Sequence, residues 1–313
     1  QAGKYFKKGQ LVILRSTVSP GTTNRIRDIL EEVTGLSVGK DIFLVFAPER
    51  VLQGKVIEEI MTLPQLIGAF DEVSYKKAEA FFKTFINNKC FYLTPIEAEI
   101  GKLMTNMARY VQFALANEYY LIADSFGANI HKVIDACTYD YPRLSLYKPG
   151  PNVGGPCLHK DGFFLIERFP FPELISAAFK INESMPAQVF GKISLLKDIK
   201  KVCILGMAFK ANVDDMRNSL SFKLKRLLEN AGYKVECVDP HVVQFNDYKK
   251  AKGADCAILM SPHNEFKDLK KILKYVANQK CVYFDIWGFW EDMKYVSNNG
   301  IFTGAQAKRI LNK

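Results

Sequence analysis

Apolar residues fall into short runs separated by longer stretches of helical spacing, and this alternation sets the expected fold. Residues 10–14 form a brief apolar run that ends in Arg15-Ser16-Thr17-Val18-Ser19-Pro20-Gly21-Thr22-Thr23. From Thr22 onward Ile26, Ile29, Leu30 and Val33 recur at the interval of one helix face. Strand, loop and helix follow from that order. Residues 41–46 predict a second buried strand, closed by Ala47-Pro48-Glu49-Arg50, and residues 66–69 lead toward a helix over 74–85. From Pro95 to about Gly127 one helical pattern is apolar on most faces, through Leu103, Met107, Tyr110, Phe113, Ala114, Leu121 and Ile122. A helix so apolar has to be covered, as a spine between domains or as a dimer seam. Helical spacing resumes over 174–196, and a second α/β unit opens near Lys200. Its strands are residues 201–206, 234–238, 257–260 and 282–284, with a helix over 219–231. Strands alternating with helices predict parallel sheets with ligands at the carboxyl ends of the strands.

Composition narrows the class of protein. A chain of 313 residues suggests about two domains. No stretch reaches the ~20 uncharged apolar residues of a membrane span, and Gln1-Ala2-Gly3-Lys4-Tyr5 lacks a signal-peptide apolar core. A cytoplasmic protein with no membrane partner is expected. The seven cysteines, at 90, 137, 157, 203, 237, 256 and 281, form no CxxC pair and no cluster with histidine at metal-ligand spacing, so a reducing compartment and no metal are expected. The formal charge of +10 comes from dispersed lysines that mostly alternate with acids, as in Lys267-Asp268-Leu269-Lys270-Lys271. That pattern describes a solvated surface with some attraction for an anionic small molecule, not a nucleic-acid interface.

Three constellations carry chemistry. In Val153-Gly154-Gly155-Pro156-Cys157-Leu158-His159-Lys160-Asp161, glycines remove side chains from the approach to a thiol, and a lysine and an aspartate follow it. Glycine admits close approach to the backbone, and thiolate, the form that attacks carbonyl carbon, is favoured by a neighbouring ammonium. Glu99, Lys102 and Asn106, spaced by three and four, share one face of the long helix. That stripe is either a satisfied polar network or a lysine and amide aimed at a developing oxyanion. The run from Gly206 to Ser219 lies where a strand turns into a helix, a place that accepts phosphate. A lone Gly206 is a weak dinucleotide signal, and Asp239 falls well beyond the ~20 residues expected of a ribose-binding acid. The loop therefore belongs to a nucleotide other than a redox cofactor, or to ordinary strand–helix chemistry.

Together these pieces resemble the UDP-sugar 6-dehydrogenase family, which oxidises the C6 hydroxyl of a UDP-hexose to a carboxylate with two NAD per turnover. The resemblance rests on Ser16-Thr17-Val18-Ser19-Pro20-Gly21-Thr22-Thr23, on Pro48-Glu49-Arg50-Val51 with Gly54, and on Ala98-Glu99 through Lys102 and Asn106. It continues in Pro149-Gly150-Pro151 through Gly154-Gly155-Pro156-Cys157 to Lys160-Asp161, and in Ala208-Phe209-Lys210 through Asp214-Asp215 to Arg217. It implies an α/β protein of three parts: a truncated Rossmann-like NAD-binding domain over 1–94, a helical dimerisation region over 95–196 that includes the cysteine loop, and a Rossmann-like UDP-sugar-binding domain over 197–313.

The resemblance also implies roles. Cys157 is the thiol that forms a thiohemiacetal and then a thioester, Lys102 stabilises the oxyanions, and Asn106 positions the reacting oxygen. Asp161 and Thr17 hold the hydrolytic water, and Glu49 organises substrate and hydrolysis. Thr17, Lys160 and Arg217 match cofactor-contacting positions. Leu146, Tyr147, Lys148, Pro149, Gly150, Gly154 and Lys210 match positions that hold the UDP-sugar, and Arg143 matches an arginine that reaches a neighbouring subunit's substrate. The family's N-terminal GxGxxG segment, roughly 80 to 100 residues of βαβ structure, has no counterpart here, so a chain opening at this point should bind NAD poorly. Gln53 replaces a glutamate frequent in glucose-oxidising members, and Glu49-Arg50 leans toward N-acetylated UDP-hexosamines. The alternatives are UDP-glucose as substrate, a hydroxyacid-type dehydrogenase that needs no thiol, and an inactive nucleotide-sugar-binding protein.

Overall fold

The computed structural model describes residues 5–312. They divide into two compact units: one holds residues up to Ala108 together with Lys160–Pro172, and the other holds Arg109–His159 and Glu173 onward.

The first unit is built on β1 (Leu11–Leu14), α1 (Thr22–Thr34), β2 (Phe43–Phe46), α2 (Val56–Thr62), β3 (Gln65–Ala69), α3 (Glu72–Phe82) and β4 (Cys90–Leu93). It also contains the first half of α4 (Pro95–Ser125). The strands lie in chain order, with β1 parallel to β2 and β3 parallel to β4. The middle pair departs from the expected parallel sheet, because β2 and β3 run antiparallel through Val45↔Ala69 and Phe46↔Gly68. A parallel crossover needs a connection whose helix packs on the sheet. Here the connection carries only the seven-residue α2, which buries none of its side chains, and the chain turns straight back. The four residues of β2 are all buried, as a strand covered on both faces requires. On α3 Tyr75, Ala78 and Phe82, spaced by three and four, face Val45, Ile67 and Ala69. Asp71 caps that helix by accepting from the Ser74 N–H at 2.7 Å.

The second unit holds α5 (Ile130–Thr138), the start of α6 (Leu158–Ile166), α7 (Glu173–Ser194), β5 (Lys201–Leu205), α8 (Ser221–Asn230) and β6 (Lys234–Val238). It continues through β7 (Cys256–Leu259), α9 (Leu269–Val276), β8 (Val282–Phe284), α10 (Glu291–Lys294), β9 (Ile301–Thr303) and α11 (Gly304–Leu311). The sheet order is β6-β5-β7-β8-β9, parallel except for β9. Alternate residues of β5 serve opposite faces. Val202 and Ile204 join a core with Tyr120, Ile134, Met185, Val189, Leu224 and Leu228, whereas Cys203 and Leu205 join Leu269, Ile272, Val276 and Ala307. This is a doubly wound sheet whose connections reverse between β5 and β7, the position at which such sheets bind ligands.

Sequence periodicity does not predict β4 or β9. Two of the four side chains of β4 are exposed, and β9 has only three residues, too few for a period of two to register.

Candidate functional site

The site residues named from sequence fall in both units. In the first unit Lys102 and Asn106 share one face of α4 with Glu99. Glu99 is 1% exposed, and Lys102 and Asn106 are each 8% exposed, so the polar stripe is a buried network and not a solvated one. Glu99 accepts from the Gly21 N–H (2.6 Å), the Thr23 N–H (2.7 Å) and the Thr23 hydroxyl (2.6 Å). Its carboxylate thus closes the first turn of α1, where exposed N–H groups and the helix dipole favour negative charge. This bond ties the loop carrying Thr17 to the helix carrying Lys102. Asn106 donates its amide to Asp161 Oδ2 at 2.7 Å, and Lys160 holds Asp161 Oδ1 at 3.0 Å. Asp161 is wholly buried, so these two donors fix its orientation. Glu49 is half-buried; it pairs with Arg15 and accepts from the Val51 N–H at 2.7 Å. Arg15 was not singled out from sequence, yet it donates to the Ala47 carbonyl (2.7 Å) and the Gln65 side chain (3.1 Å) as well. A charged residue ending an apolar, half-buried strand was the available signal.

In the second unit the loop before Cys157 is pinned at the switch point between β5 and β7. Its anchor is Asn152, 3% exposed, which donates to the Ala208 carbonyl and to the Ser261 hydroxyl, both at 2.9 Å, and accepts from the Leu220 N–H at 2.8 Å. Gly150 N–H donates to Asn117 at 2.8 Å, Asn117 to Asn182 at 2.9 Å, and Asn182 to the Tyr110 carbonyl at 3.1 Å. Sequence reasoning missed all three asparagines, although an amide set among the apolar residues of α4 marked Asn117.

The glycines have a plainer role than admitting a ligand. A side chain on Gly150 would strike the Trp287 ring at 2.2 Å, and one on Gly154 would strike the Asn218 carbonyl at 2.5 Å. At Gly155, with φ of +95°, it would meet Phe209 at 2.5 Å. What approaches this backbone most closely is the chain itself. The loop ends at Cys157, which is exposed immediately before the first turn of α6.

The other thiols differ from it. Cys90, Cys203, Cys237, Cys256 and Cys281 are buried, and burial raises each of them, Cys237 and Cys281 to about 12. They stay protonated and inert. Of the two exposed thiols, Cys137 lies in the last turns of α5 and Cys157 follows the glycine loop. Arg217, exposed and bonded through Nε and Nη2 to Asp215, is raised above its ordinary value by that partner.

Of the remaining candidates, Lys210 is half-buried in the loop after β5, and Leu146 packs on the core. Tyr147 sets its ring edge-on to Phe113 at 4.8 Å. Lys148 is exposed, and Pro149 is buried. Arg143 is exposed and lies over the Tyr141 ring at 4.7 Å.

Asp239 does not face a ribose site. It is fully buried, and it accepts from the Met207, Ala208 and His241 N–H groups and from His263. Burial opposes its ionisation, but His263 and the backbone donors outweigh burial and hold the carboxyl at about 2. His241, His263 and Glu265 bring nitrogen and oxygen atoms within 4.8 Å of one another. His263 has no lone pair for a metal, since Nδ1 accepts from the Asn212 N–H (2.9 Å) and Nε2 donates to Asp239 (3.0 Å). Among the described residues no helix is long and apolar enough to cross a membrane.

Comparison with known proteins identifies the family. Residues 1–86, 96–184 and 203–292 match, in order, the NAD binding, central and UDP binding domains of the UDP-glucose/GDP-mannose dehydrogenase family. The UDP-N-acetyl-D-mannosamine dehydrogenase of Methanocaldococcus jannaschii is 37% identical over 287 residues, which are 88% of this chain and 66% of that protein, so the chain spans less than two thirds of this relative. The solved UDP-N-acetyl-mannosamine dehydrogenase of Staphylococcus aureus superposes with a TM-score of 0.81 at 31% identity, over 93% of this chain and 75% of that one. The corresponding Pyrococcus horikoshii enzyme superposes with a TM-score of 0.80 at 34% identity, over 88% and 68%. Three domain matches in the family's order, and a 31% identical relative of which three quarters is covered, place this chain in the UDP-glucose/GDP-mannose dehydrogenase family.

Proposed function

We propose that the protein catalyses the NAD-dependent oxidation of C6 of a UDP-N-acetylhexosamine, of the N-acetylmannosamine type, to the uronate. The observation that carries this reading is the state of Cys157: one exposed thiol at the end of a rigidly pinned glycine loop, while five others are buried and protonated. Pure binding has no use for a nucleophile there. The names of the relatives favour the N-acetylated sugar over UDP-glucose.

Lys160, Arg217 and the Thr17 hydroxyl are donors of the kind that a pyrophosphate and a ribose take, but Asp161 and Asp215 already pair with the two cations, so these residues fit NAD as a weakly held ligand, in line with the expectation from sequence. NAD would supply the oxidant, one hydride acceptor for each of the two oxidations and so two NAD molecules per turnover, for taking C6 from alcohol through aldehyde to the acid level. The chain's own residues do the rest. Cys157 Sγ adds to the aldehyde carbon to form a thiohemiacetal, and after the second oxidation it remains bonded to C6 as a thioester. The Lys102 ammonium stabilises the oxyanion at each tetrahedral stage, and the Asn106 amide orients the reacting oxygen. Asp161 and Thr17 hold the water that attacks the thioester; the C–S bond breaks, one of the water's protons ends on the Cys157 thiol, and the other is released as the carboxylate forms. Glu49 steadies the substrate from the loop after β2. Lys210, Gly154 and the segment from Leu146 to Gly150 hold the UDP-sugar, with Arg143 reaching a neighbouring subunit.

Calorimetric titration with UDP, UDP-glucose, UDP-N-acetylglucosamine and UDP-N-acetylmannosamine tests the proposal. UDP-N-acetylmannosamine should bind most tightly, by about tenfold over UDP-glucose if one polar contact to the acetamido group decides the choice. No UDP binding at all would overturn the reading of the second unit.

A homodimer through the central helix belongs to the same proposal. Leu115, Tyr119, Ile122 and Phe126 are 37 to 84% exposed and are spaced by four, three and four, a seam of coiled-coil spacing. Light scattering should show a dimer for the unmodified protein and a monomer for Ile122→Asp, whose carboxylate would be buried without a partner at the seam.

A further inference from the structure

One buried pair clamps the loop after β5 at both ends of a short segment. Asp239 Oδ2 accepts from the Met207 N–H at 2.6 Å and the Ala208 N–H at 2.9 Å. His263 Nε2 donates to the same oxygen at 3.0 Å, and its Nδ1 accepts from the Asn212 N–H at 2.9 Å. Asn212 sits in the left-handed region with φ of 59°, and its side-chain oxygen accepts from the Asn264 N–H at 2.9 Å. Both Asp239 and His263 are 0% exposed. Lys210 is the middle residue of the segment so held.

In a dinucleotide-binding fold the N–H groups after the first strand receive phosphate, and the acid ending the second strand receives a ribose hydroxyl. Here β5 and β6 are those strands, and the acid after β6 turns back to fill the cradle after β5. We infer that Asp239 and His263 are positioning residues of the UDP-sugar site: Asp239 is a built-in anion in the place of a phosphate, and His263 carries its position to Asn212, so that residues 208–212 present Lys210. The inference rests on the proposed reading of Lys210 as a ligand of the UDP-sugar. It explains why this unit keeps the topology of a dinucleotide fold without an open phosphate cradle, and why a histidine with both nitrogens engaged lies at its switch point.

A double-mutant cycle read by UDP calorimetry tests the inference. His263→Phe should weaken UDP binding about tenfold, the effect of losing a charge-assisted hydrogen-bond relay. In a Lys210→Ala background the same substitution should cost nothing further, because the only role assigned to His263 at this site is to place that lysine. His263→Gln keeps a donor for Asp239 and should recover affinity to within about threefold of the unmodified protein. Asp239→Gly should bind UDP poorly and be rescued by millimolar formate, which leaves the unmodified protein unaffected. If His263→Phe does not fold, the glutamine variant and the ring nitrogen NMR of the unmodified protein decide, with the proton expected on Nε2. A loss of equal size with and without Lys210, unchanged UDP binding by His263→Phe, no recovery in the glutamine variant, no rescue by formate, or a proton on Nδ1 would each overturn the inference. If the unmodified protein binds no UDP, the reading of the UDP site fails and the inference falls with it; binding with an additive loss overturns the inference alone.

Discussion

Cys157→Ser should stop the production of uronate while leaving the binding of the UDP-sugar intact. Removing the nucleophile of a covalent mechanism costs catalysis as a unit, because no other group takes over the bond it forms, and a fall of at least about 10³-fold in turnover to the acid is expected. The first oxidation does not require the thiol, so the variant should release aldehyde, which hydroxylamine traps as an oxime. Serine keeps the size of the side chain at an exposed position, so loss of fold is not an explanation for the result. The other exposed thiol serves as a control: Cys137→Ser, on α5, should retain normal turnover. Normal uronate formation by Cys157→Ser, with no trapped aldehyde, would exclude the thioester route.

Gly206→Ala should destabilise the second unit by about 3 kcal/mol. Two costs add. The residue has φ of +93°, where an L side chain costs roughly 1 kcal/mol, and a Cβ there would lie 2.5 Å from the Ser261 Cβ, 2.6 Å from its backbone nitrogen and 2.7 Å from its carbonyl oxygen. Backbone atoms at the end of a central strand do not move aside cheaply, and overpacking of this kind costs a further ~1 to 3 kcal/mol. A fall in Tm of roughly 6 to 12 °C follows. Gly232 isolates the first cost, since its φ is +86° but nothing lies within 4 Å of an added Cβ; Gly232→Ala should cost only ~1 kcal/mol. Equal Tm values for the two variants would show that the Ser261 contact carries no energy.

Those two residues also mark how far the sequence could be read. Cys157 was legible because its neighbours are unusual over nine consecutive positions, a local pattern that needs no knowledge of the fold. Gly206 was legible as a glycine at a strand end, but its reason was not: it makes room for Ser261, a residue on another strand's loop, and only the sheet order brings the two together. Asp239 fits the same account. Its distance along the chain argued against a ribose role, yet the cradle it fills is closed by strand pairing that no spacing rule reports. Asn152 escaped notice for the opposite reason. A single amide between Pro151 and Val153 looks like loop composition, and its five hydrogen-bond partners come from three separate segments. The turn-back of β3 was hidden as well, because what decides it is the failure of α2 to bury any face, a packing outcome rather than a periodicity.

The order of the second sheet has a consequence for solubility. A five-stranded sheet presents two rows of backbone donors and acceptors to any extended chain that arrives, and an open row is a template for aggregation. At one end the row belongs to β9, three residues long and running against its neighbour, too short to seed a ladder. At the other end it belongs to β6, which carries the exposed Lys234 and the half-buried Glu236. A guest strand laid along β6 would have to bring its own side chains up against both charges, so the sheet turns guests away at its long edge by electrostatics and at its short edge by length.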